Sequence, residues 1–358
     1  MIRLNPLTRR KLQRFRGIRR GWWSFVALIT LLGLSFVAEL LVNDRALAVR
    51  HDGQWHFPVY GDVELGATYG LTGTAARTPV DYRALAETFA ARGGDDRVIL
   101  PPVPWGPYAN DVRDGIIRAE PPDASRAHWL GTDTTGRDIL ARLVYGFRTA
   151  MLFALAYTAA TFAIGVGVGC AMGWFGGLFD LLFQRLIEIW SNIPFLYMVI
   201  IVFSVIPGTF DIPTRIGILL LIMVGFSWTG LTYYMRTETY KEKARDYTAA
   251  ALVLGASTPR IIFRHILPNS ISTMVTFLPF TVVSAITAIT ALDFLGWGLP
   301  PPTPSIGELL KQGTANLTTA PWIVTSAFAA LVFILTLVTF VGEAIREAFD
   351  PRRFTLYR

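Results

Sequence analysis

Apolar residues in this chain gather into six long runs, over about residues 22–42, 147–173, 181–206, 215–236, 271–293 and 321–342. Each run is long enough to cross ~30 Å of hydrocarbon as a helix. Between the first two lies 43–145, which is polar, turn-rich and Pro-containing. The pattern predicts an all-α polytopic membrane protein of six transmembrane helices, interrupted by an irregular α+β insert of about 100 residues. Trp55, Trp105 and Trp129 are expected to supply a modest core for that insert. A second amphipathic pattern precedes the second span: Ile139, Leu140, Leu143, Val144 and Phe147 recur at helical spacing, predicting a helix that lies on the outer leaflet. The first run lacks an A-x-A cleavage site and exceeds a signal-peptide core, so it reads as a retained anchor.

Charge orients this arrangement. The first twenty residues carry eight Lys/Arg (Arg3, Arg9, Arg10, Lys11, Arg14, Arg16, Arg19, Arg20) and no acid. Such a flank stays cytoplasmic. Asp44 to Arg142 holds 14 acids and 11 bases, a net of −3, so with a total of +7 the remainder carries +10. The insert is therefore placed outside, the basic 1–21 inside, and both termini in the cytoplasm. Alternation puts 174–180, 237–270 and the tail 343–358 inside, and 207–214 and 294–320 outside. The five later spans form a core over 146–342. Composition agrees: 52% of residues are hydrophobic and 16% charged, against about a quarter charged in soluble domains. The single cysteine, Cys170, allows no intramolecular disulfide.

One inward loop is unlike a plain connection. In DYTAAALVLGASTPRIIFRHILP, residues 246–268, the residues from Tyr240 to Leu254 favour helix, and Gly255 suits the C′ position that ends it. Thr258 and Pro259 read as N-cap and N1 of a second helix, which Pro268 is expected to stop. Arg260 and Arg264 share one face, Ile262 and Ile266 another. The segment is thus either a rigid knob with apolar and cationic faces or an amphipathic loop resting on anionic headgroups.

Chemistry of other kinds finds little footing. There is no G-x-x-x-x-G-K-[ST] for nucleotide and no H-E-x-x-H. His51, His56, His128 and His265 are not at ligand spacing, and no nucleophile–base or paired-carboxylate set can be argued within the spans. No catalytic residue, metal ligand or cofactor is predicted in this chain. In the spans, Gly165, Gly169 and Gly173 form a small-residue ridge that lets another helix approach, a packing role preferred to a gating hinge. Arg185 and Glu188 sit near the inner interface as anchors. Asn192 to Pro194 should kink the third span, and Asn192, Pro194 and Asp293 are the pathway-lining candidates.

The 246–268 stretch resembles the coupling loop of ABC-importer permeases, whose pattern is E-A-A, three residues, Gly, nine residues and an apolar-Leu-Pro ending. Ala250, Ala251, Gly255, Leu267 and Pro268 fall in register, His265 stands where isoleucine is frequent, and Ala249 replaces the family's Glu. HWLGTDTTGRDILARLVYGFRTA (128–150), ALDFLGWGLPPPTPSIGELLKQG (291–313) and GEAIREAFDPRR (342–353) are similar to motifs of the dipeptide/oligopeptide permeases, C-type subunit. HDGQWHFP (51–58), the long insert and QRLIEIWSNIPFLY (184–197) look most like permeases of microcin C/peptide importers. The resemblance implies a type I importer permease of the bacterial cytoplasmic (inner) membrane. Its implied partners are a second homologous permease subunit, ATPase subunits that bind the ATP and Mg, and a periplasmic peptide-binding protein. The ATPase-coupling residues it implies are Asp246, Ala250, Ala251, Gly255, Thr258, Pro259, Arg260, Arg264, His265 and Pro268, with Asp246 a candidate substitute for the missing Glu. The cargo implied is peptides or peptide-like compounds, including microcin C-type peptide-nucleotides. Alternatives are nickel or another small solute within the family, or, outside it, a self-sufficient channel or a membrane-embedded peptidase.

Overall fold

The structure, a computed structural model, describes residues 6–112, 115–205 and 210–349. The predicted tail beyond Phe349 and residues 207–209 of an outer connection lie outside these. The chain opens with α1 (Pro6–Gly17), α2 (Arg19–Phe36) and α3 (Ala38–Leu41). The predicted first run is thus divided at Val37, whose N–H bonds Leu34 O at 3.1 Å and tightens the turn. α2 begins on Arg19 and Arg20 and ends on Phe36, so it is shorter and more polar than a free-standing span.

Among the described residues, four helices are long and apolar enough to cross a membrane: α5 (Ile139–Phe175), α8 (Ile212–Lys243), the Met274–Leu295 part of α11 (Leu267–Leu295), and α13 (Pro321–Phe349). The pair α6 (Gly177–Ser191) and α7 (Phe195–Val205), bent by 74°, is apolar enough to make a fifth crossing if the two form one broken span. The bend falls at Asn192 to Pro194, because proline offers no N–H and forces the preceding residue out of helical geometry. The amphipathic stripe before the second span does not lie apart on the outer leaflet. It is the first three turns of α5, started by Asp138, whose carboxylate accepts from Ala141 N at 2.7 Å. Its apolar side is buried against protein, with Ile139 wholly enclosed.

α5 and α8 pack along the glycine ridge. A β-carbon on Gly165 would lie 3.0 Å from Leu231 Cβ, one on Gly169 2.6 Å from Thr232 O, and one on Gly173 2.6 Å from Thr239 Cβ. Hydrogen in place of a side chain is what brings the two backbones together. α1 and α2 lie against α13. Phe15 is buried with Val341, Ala344 and Ala348, and a β-carbon on Gly21 would overlap Ala344.

The insert forms a three-stranded antiparallel sheet, order β2–β1–β3 (β1 Ala48–His51, β2 Gln54–His56, β3 Arg97–Ile99), with α4 (Tyr82–Arg92) on it. Asp52 and Gly53, both at positive φ, make the tight hairpin turn that Asp-Gly favours. The predicted tryptophan core is not what forms: Trp55 and Trp129 are exposed, and Trp105 alone of the three is buried. Val49, Tyr69, Tyr82, Leu85 and Phe89 make the core instead, since α4 offers Leu85 and Phe89 on one face four residues apart. Both Tyr69 and Tyr82 hydroxyls donate to Glu64. Burial first, and then Glu64, pushes both phenols above their ordinary range.

A buried charge network closes the end of the core at the start of α5. Asp133 accepts from Arg137 Nε at 2.9 Å, Arg137 Nη2 lies 3.0 Å from Glu308 Oε1, and Arg142 Nη2 donates to the other Glu308 oxygen. Arg142 is fully enclosed. Glu308 stands in the first turn of α12 (Ile306–Ala315), capped by Ser305, so the network clamps α12 onto the start of α5. His128, also enclosed, joins Asp138 at 2.8 Å and Asp111 at 3.4 Å and stacks on Trp105 with 4.1 Å between centroids.

Candidate coupling elbow

The loop after α8 folds into two short helices whose sequence explains each turn. α8 runs to Lys243, and the helix expected over Tyr240 to Leu254 is broken at Ala244 and Arg245, the latter extended at φ −81°, ψ 146°. Thr248 holds the break: its hydroxyl donates to Glu242 O at 2.7 Å and is wholly buried. Tyr247 donates to the Glu242 carboxylate. Burial, then this carboxylate, raises the Tyr247 hydroxyl above its ordinary range and keeps it a donor. α9 (Asp246–Val253) follows with Asp246 in its first turn, where a negative charge suits the helix dipole.

Gly255, at φ +77°, ends α9. Ala256 N bonds Ala251 O and Gly255 N bonds Leu252 O, both at 3.0 Å. This is the paired closure that a left-handed C′ residue makes. Space around the glycine is open, so its φ is the sole reason that Gly is needed here. α10 (Thr258–Ile261) then starts. Its N-cap is Ser257, one residue before the expected Thr258, and Pro259 lies in the first turn.

Pro268 does not stop the second helix. Ile262 to Ile266 form a single π turn, in which Leu267 N bonds Ile262 O, and α11 continues directly. The wider turn accommodates a proline that has no N–H to offer and whose ring would clash with the carbonyl four residues back. It also re-phases the faces. Ile261 and Ile266, five apart, are the enclosed pair rather than the expected Ile262 and Ile266.

What these two isoleucines cover is Trp174, at the end of α5. Trp174, Ala251, Ile261 and Ile266 make one small core. The indole N–H donates to Thr258 Oγ1 at 3.2 Å, and Lys243 Nζ donates to Trp174 O at 2.5 Å while lying 5.3 Å over the ring. Nearby, Arg236 and Tyr240 of α8 both bond Asp180 of α6 (2.6 Å from Nη2, 3.0 Å from the hydroxyl). The elbow is therefore seated on α5 and α8 besides α11, and Asp180 ties α6 to the same end of α8. Periodicity did not flag Trp174 or Asp180; the signal available was an aromatic, two glycines and an acid at an inner span boundary.

On its outer side the elbow is bare. Val253 is 87% exposed, Leu254 86% and Phe263 69%. Arg260, Arg264, Asp246, Ala250 and Pro259 are exposed beside them, and His265 is half-buried with its ring 6.2 Å from Tyr247. Two of the expected contact residues are turned inward: Ala251 is buried, and Thr258 presents its hydroxyl to Trp174. Exposed apolar side chains beside cations make this a candidate contact surface, for protein or for lipid headgroups.

The remaining candidates scatter. Asn192 and Pro194 are exposed at the bend between α6 and α7, far in the chain from the elbow. Asp293 is buried, accepting from Leu299 N at 2.6 Å and from the Ser305 hydroxyl, and it ties the Gly/Pro turn to α12. In the insert, His51 lies 2.9 Å from Asp96 and 3.6 Å from Asp52. These three offer ligand atoms within 4.8 Å of one another, a cluster that the spacing of histidines could not reveal because β-pairing assembles it. One ring nitrogen is hydrogen-bonded to Asp96 and the other faces the Asp52 carboxylate, and the His51 hydrogen bond holds the Asp96 carboxyl below its usual range.

Replacing Trp174 with phenylalanine keeps the ring and removes the bond to Thr258. A neutral hydrogen bond is worth about 0.5–1.5 kcal/mol net, which corresponds to roughly a five-fold loss at its middle. Backbone amides over 258–266 should then exchange with solvent faster by about that factor. Unchanged exchange would show that the bond does not hold this segment to α5.

A family model described as binding-protein-dependent transport system inner membrane component matches residues 139–355. The inner membrane ABC transporter permease protein YejE of Escherichia coli (strain K12) is 40% identical over 99% of both chains. The peptidoglycan transport system permease protein YejE of Agrobacterium fabrum is 37% identical, over 98% of this chain and 94% of its own. The oligopeptide transport system permease protein OppC of Mycobacterium bovis is 33% identical over 72% of this chain and 86% of its own.

Proposed function

The chain belongs to the family of binding-protein-dependent transport system inner membrane components, and from that premise we propose that it carries peptides or peptide-like compounds inward as the permease subunit of an ATP-driven importer. It is a multi-pass inner membrane permease. The oligopeptide and peptidoglycan transport named for its relatives supports the cargo class. In this reading α2 and α3 add a sixth crossing to the five apolar ones, with 1–21 and the elbow inside and the sheet-bearing insert outside. ATP is hydrolysed by partner chains, a second permease completes the pathway, and a periplasmic binding protein delivers the cargo to the insert and the 294–320 turn.

The observation that carries the reading is the elbow itself, a double helix with Val253, Leu254 and Phe263 bare and Arg260 and Arg264 exposed. Closure of the ATPase pair pushes on this tip. The push reaches α8 and α11 through the chain and α5 through Trp174, tilting them so that the pathway faces the binding protein; hydrolysis reverses the tilt. Gly255 sets the angle, Arg260 and Arg264 make polar contacts, and Asn192 and Pro194 bend the span beside the pathway.

The test is Leu254→Cys, read against Cys170, which is buried. A membrane-impermeant thiol reagent should label it in inverted vesicles and leave it unlabelled in intact cells. Co-expression of the ATPase should reduce labelling several-fold. Labelling from outside, or indifference to the ATPase, would remove the assignment.

A further inference from the structure

Midway along α5, α8 and α11 lies an open-sided chamber of about 280 Å³, with Tyr234 and Ser284 at its exposed rim, that none of the expected pathway residues touches. Tyr157 and Thr161 of α5, Ser227 and Tyr234 of α8, and Thr281 and Ser284 of α11 turn six hydroxyl-bearing side chains towards it. Leu231, Phe277 and Phe280 complete the wall. Tyr157 stands 18 residues into α5, about 27 Å along a helix, so the chamber sits near the middle of the crossing.

Polar groups at that depth are normally satisfied within the helix or paired across it. Thr281 does the former, donating to Phe277 O at 3.1 Å. Thr161 does not: it is 3% exposed and its Oγ1 completes no hydrogen bond. The Tyr157 hydroxyl lies near Thr161 and Ser227. A buried hydroxyl left without a partner in an apolar setting is costly, so the arrangement calls for a guest that hydrogen-bonds.

The lining also says what that guest is. No carboxylate, imidazole, thiol or cationic side chain is among the wall residues, which leaves no ligand for a metal ion and no counter-charge for an anion. Hydroxyls both donate and accept, and so match amide N–H and C=O groups alike. Aromatic faces take apolar side chains of many shapes. The volume falls just below the range of about 300–1,000 Å³ that encloses a whole small ligand, and suits a short stretch of extended chain. The Tyr234 and Phe277 rings, 4.5 Å apart, close the end nearer the elbow.

We propose that this chamber is a subsite for the peptide backbone in mid-passage, in which Tyr157, Thr161 and Ser227 replace the water that peptide amides lose on entering the membrane. The inference rests on the peptide-importer reading and deepens it. Selection by side chain is then left to other parts of the assembly, because the chamber reads only the feature that all peptides share.

The test uses the whole transporter in cells or reconstituted vesicles, with labelled di- to tetrapeptides of acidic, basic and apolar composition. The double variant Tyr157→Phe, Thr161→Val removes two hydroxyls with almost no change of shape. Uptake of all three peptide classes should fall together by about ten-fold, while the variant still co-purifies with its partners at the parent ratio. Undiminished uptake would overturn the proposal, and so would a loss confined to one class, which would mark a side-chain pocket. A Ser284→Cys variant that cross-links to the second permease at the same rate with and without peptide would also overturn it, since the space would then be filled by a neighbouring helix. A parent complex that imports no peptide of any class overturns the importer reading and this inference with it, a result distinct from a loss seen in the variants alone.

Discussion

Replacing Glu308 with alanine should destabilise the protein by about 3–5 kcal/mol, the range seen when one member of a buried ion pair is removed. Arg142 has no exposed surface and Arg137 little, and Glu308 takes one oxygen to each of them. Without it, Asp133 alone faces two guanidinium groups, 2.8 Å from Arg137 and 3.5 Å from Arg142. A guanidinium cannot shed its charge to escape the low dielectric, so the loss falls on the fold. The released element is α12, and with it the turn that Asp293 and Ser305 tie down. Thermal unfolding of the purified complex should begin several degrees lower. Glu308→Gln should lie between the two, because Gln312 still has a partner at that position. A melting curve for the alanine variant that overlays the parent would mean that the arginines find other acceptors, and that the clamp has been misread.

That network shows where the chain was opaque as a sequence. Asp133, Arg137 and Arg142 lie within ten residues, yet the second acid that the two arginines share is Glu308, more than 160 residues away. No local pattern joins them, and the apolar stripe among them looks the same whether it meets lipid or protein. Hence the start of α5 reads as a surface helix and folds as an enclosed one. The elbow was more legible because its signals are backbone signals. A glycine after an alanine-rich helix and a proline in the next first turn specify dihedral angles directly, and both act where the spacing puts them. Pro268 misleads for a related reason: a proline forbids one hydrogen bond, and a π turn avoids making it without ending the helix. Trp174 could not be assigned to the elbow at all until α5 was seen to end beneath it. The glycine ridge on α5 was visible as a period, whereas its partner, α8, was not.

The second large effect is expected at Gly255. Its surroundings would admit a side chain, for no atom stands within 4 Å of where a β-carbon would go. The obstacle is φ +77°, a region that costs an ordinary residue about 1–2 kcal/mol and is worse for a β-branched one. Gly255→Val therefore leaves packing intact and acts on the bend alone. If the bent elbow is the shape that takes the push, a strain of about 1.4 kcal/mol lowers its population relative to straighter forms ten-fold. Peptide uptake should fall by at least that factor, with Gly255→Ala intermediate and Gly255→Asn nearest to the parent, since asparagine tolerates left-handed backbone. The order Gly, Asn, Ala, Val separates backbone strain from bulk, because bulk alone would rank alanine ahead of asparagine. ATP turnover measured beside uptake locates the fault: hydrolysis that continues without transport places it in the lever, whereas loss of both together with loss of the ATPase from the purified complex places it in docking. Uptake of the valine variant equal to that of the parent would leave the bend at Gly255 without a mechanical role.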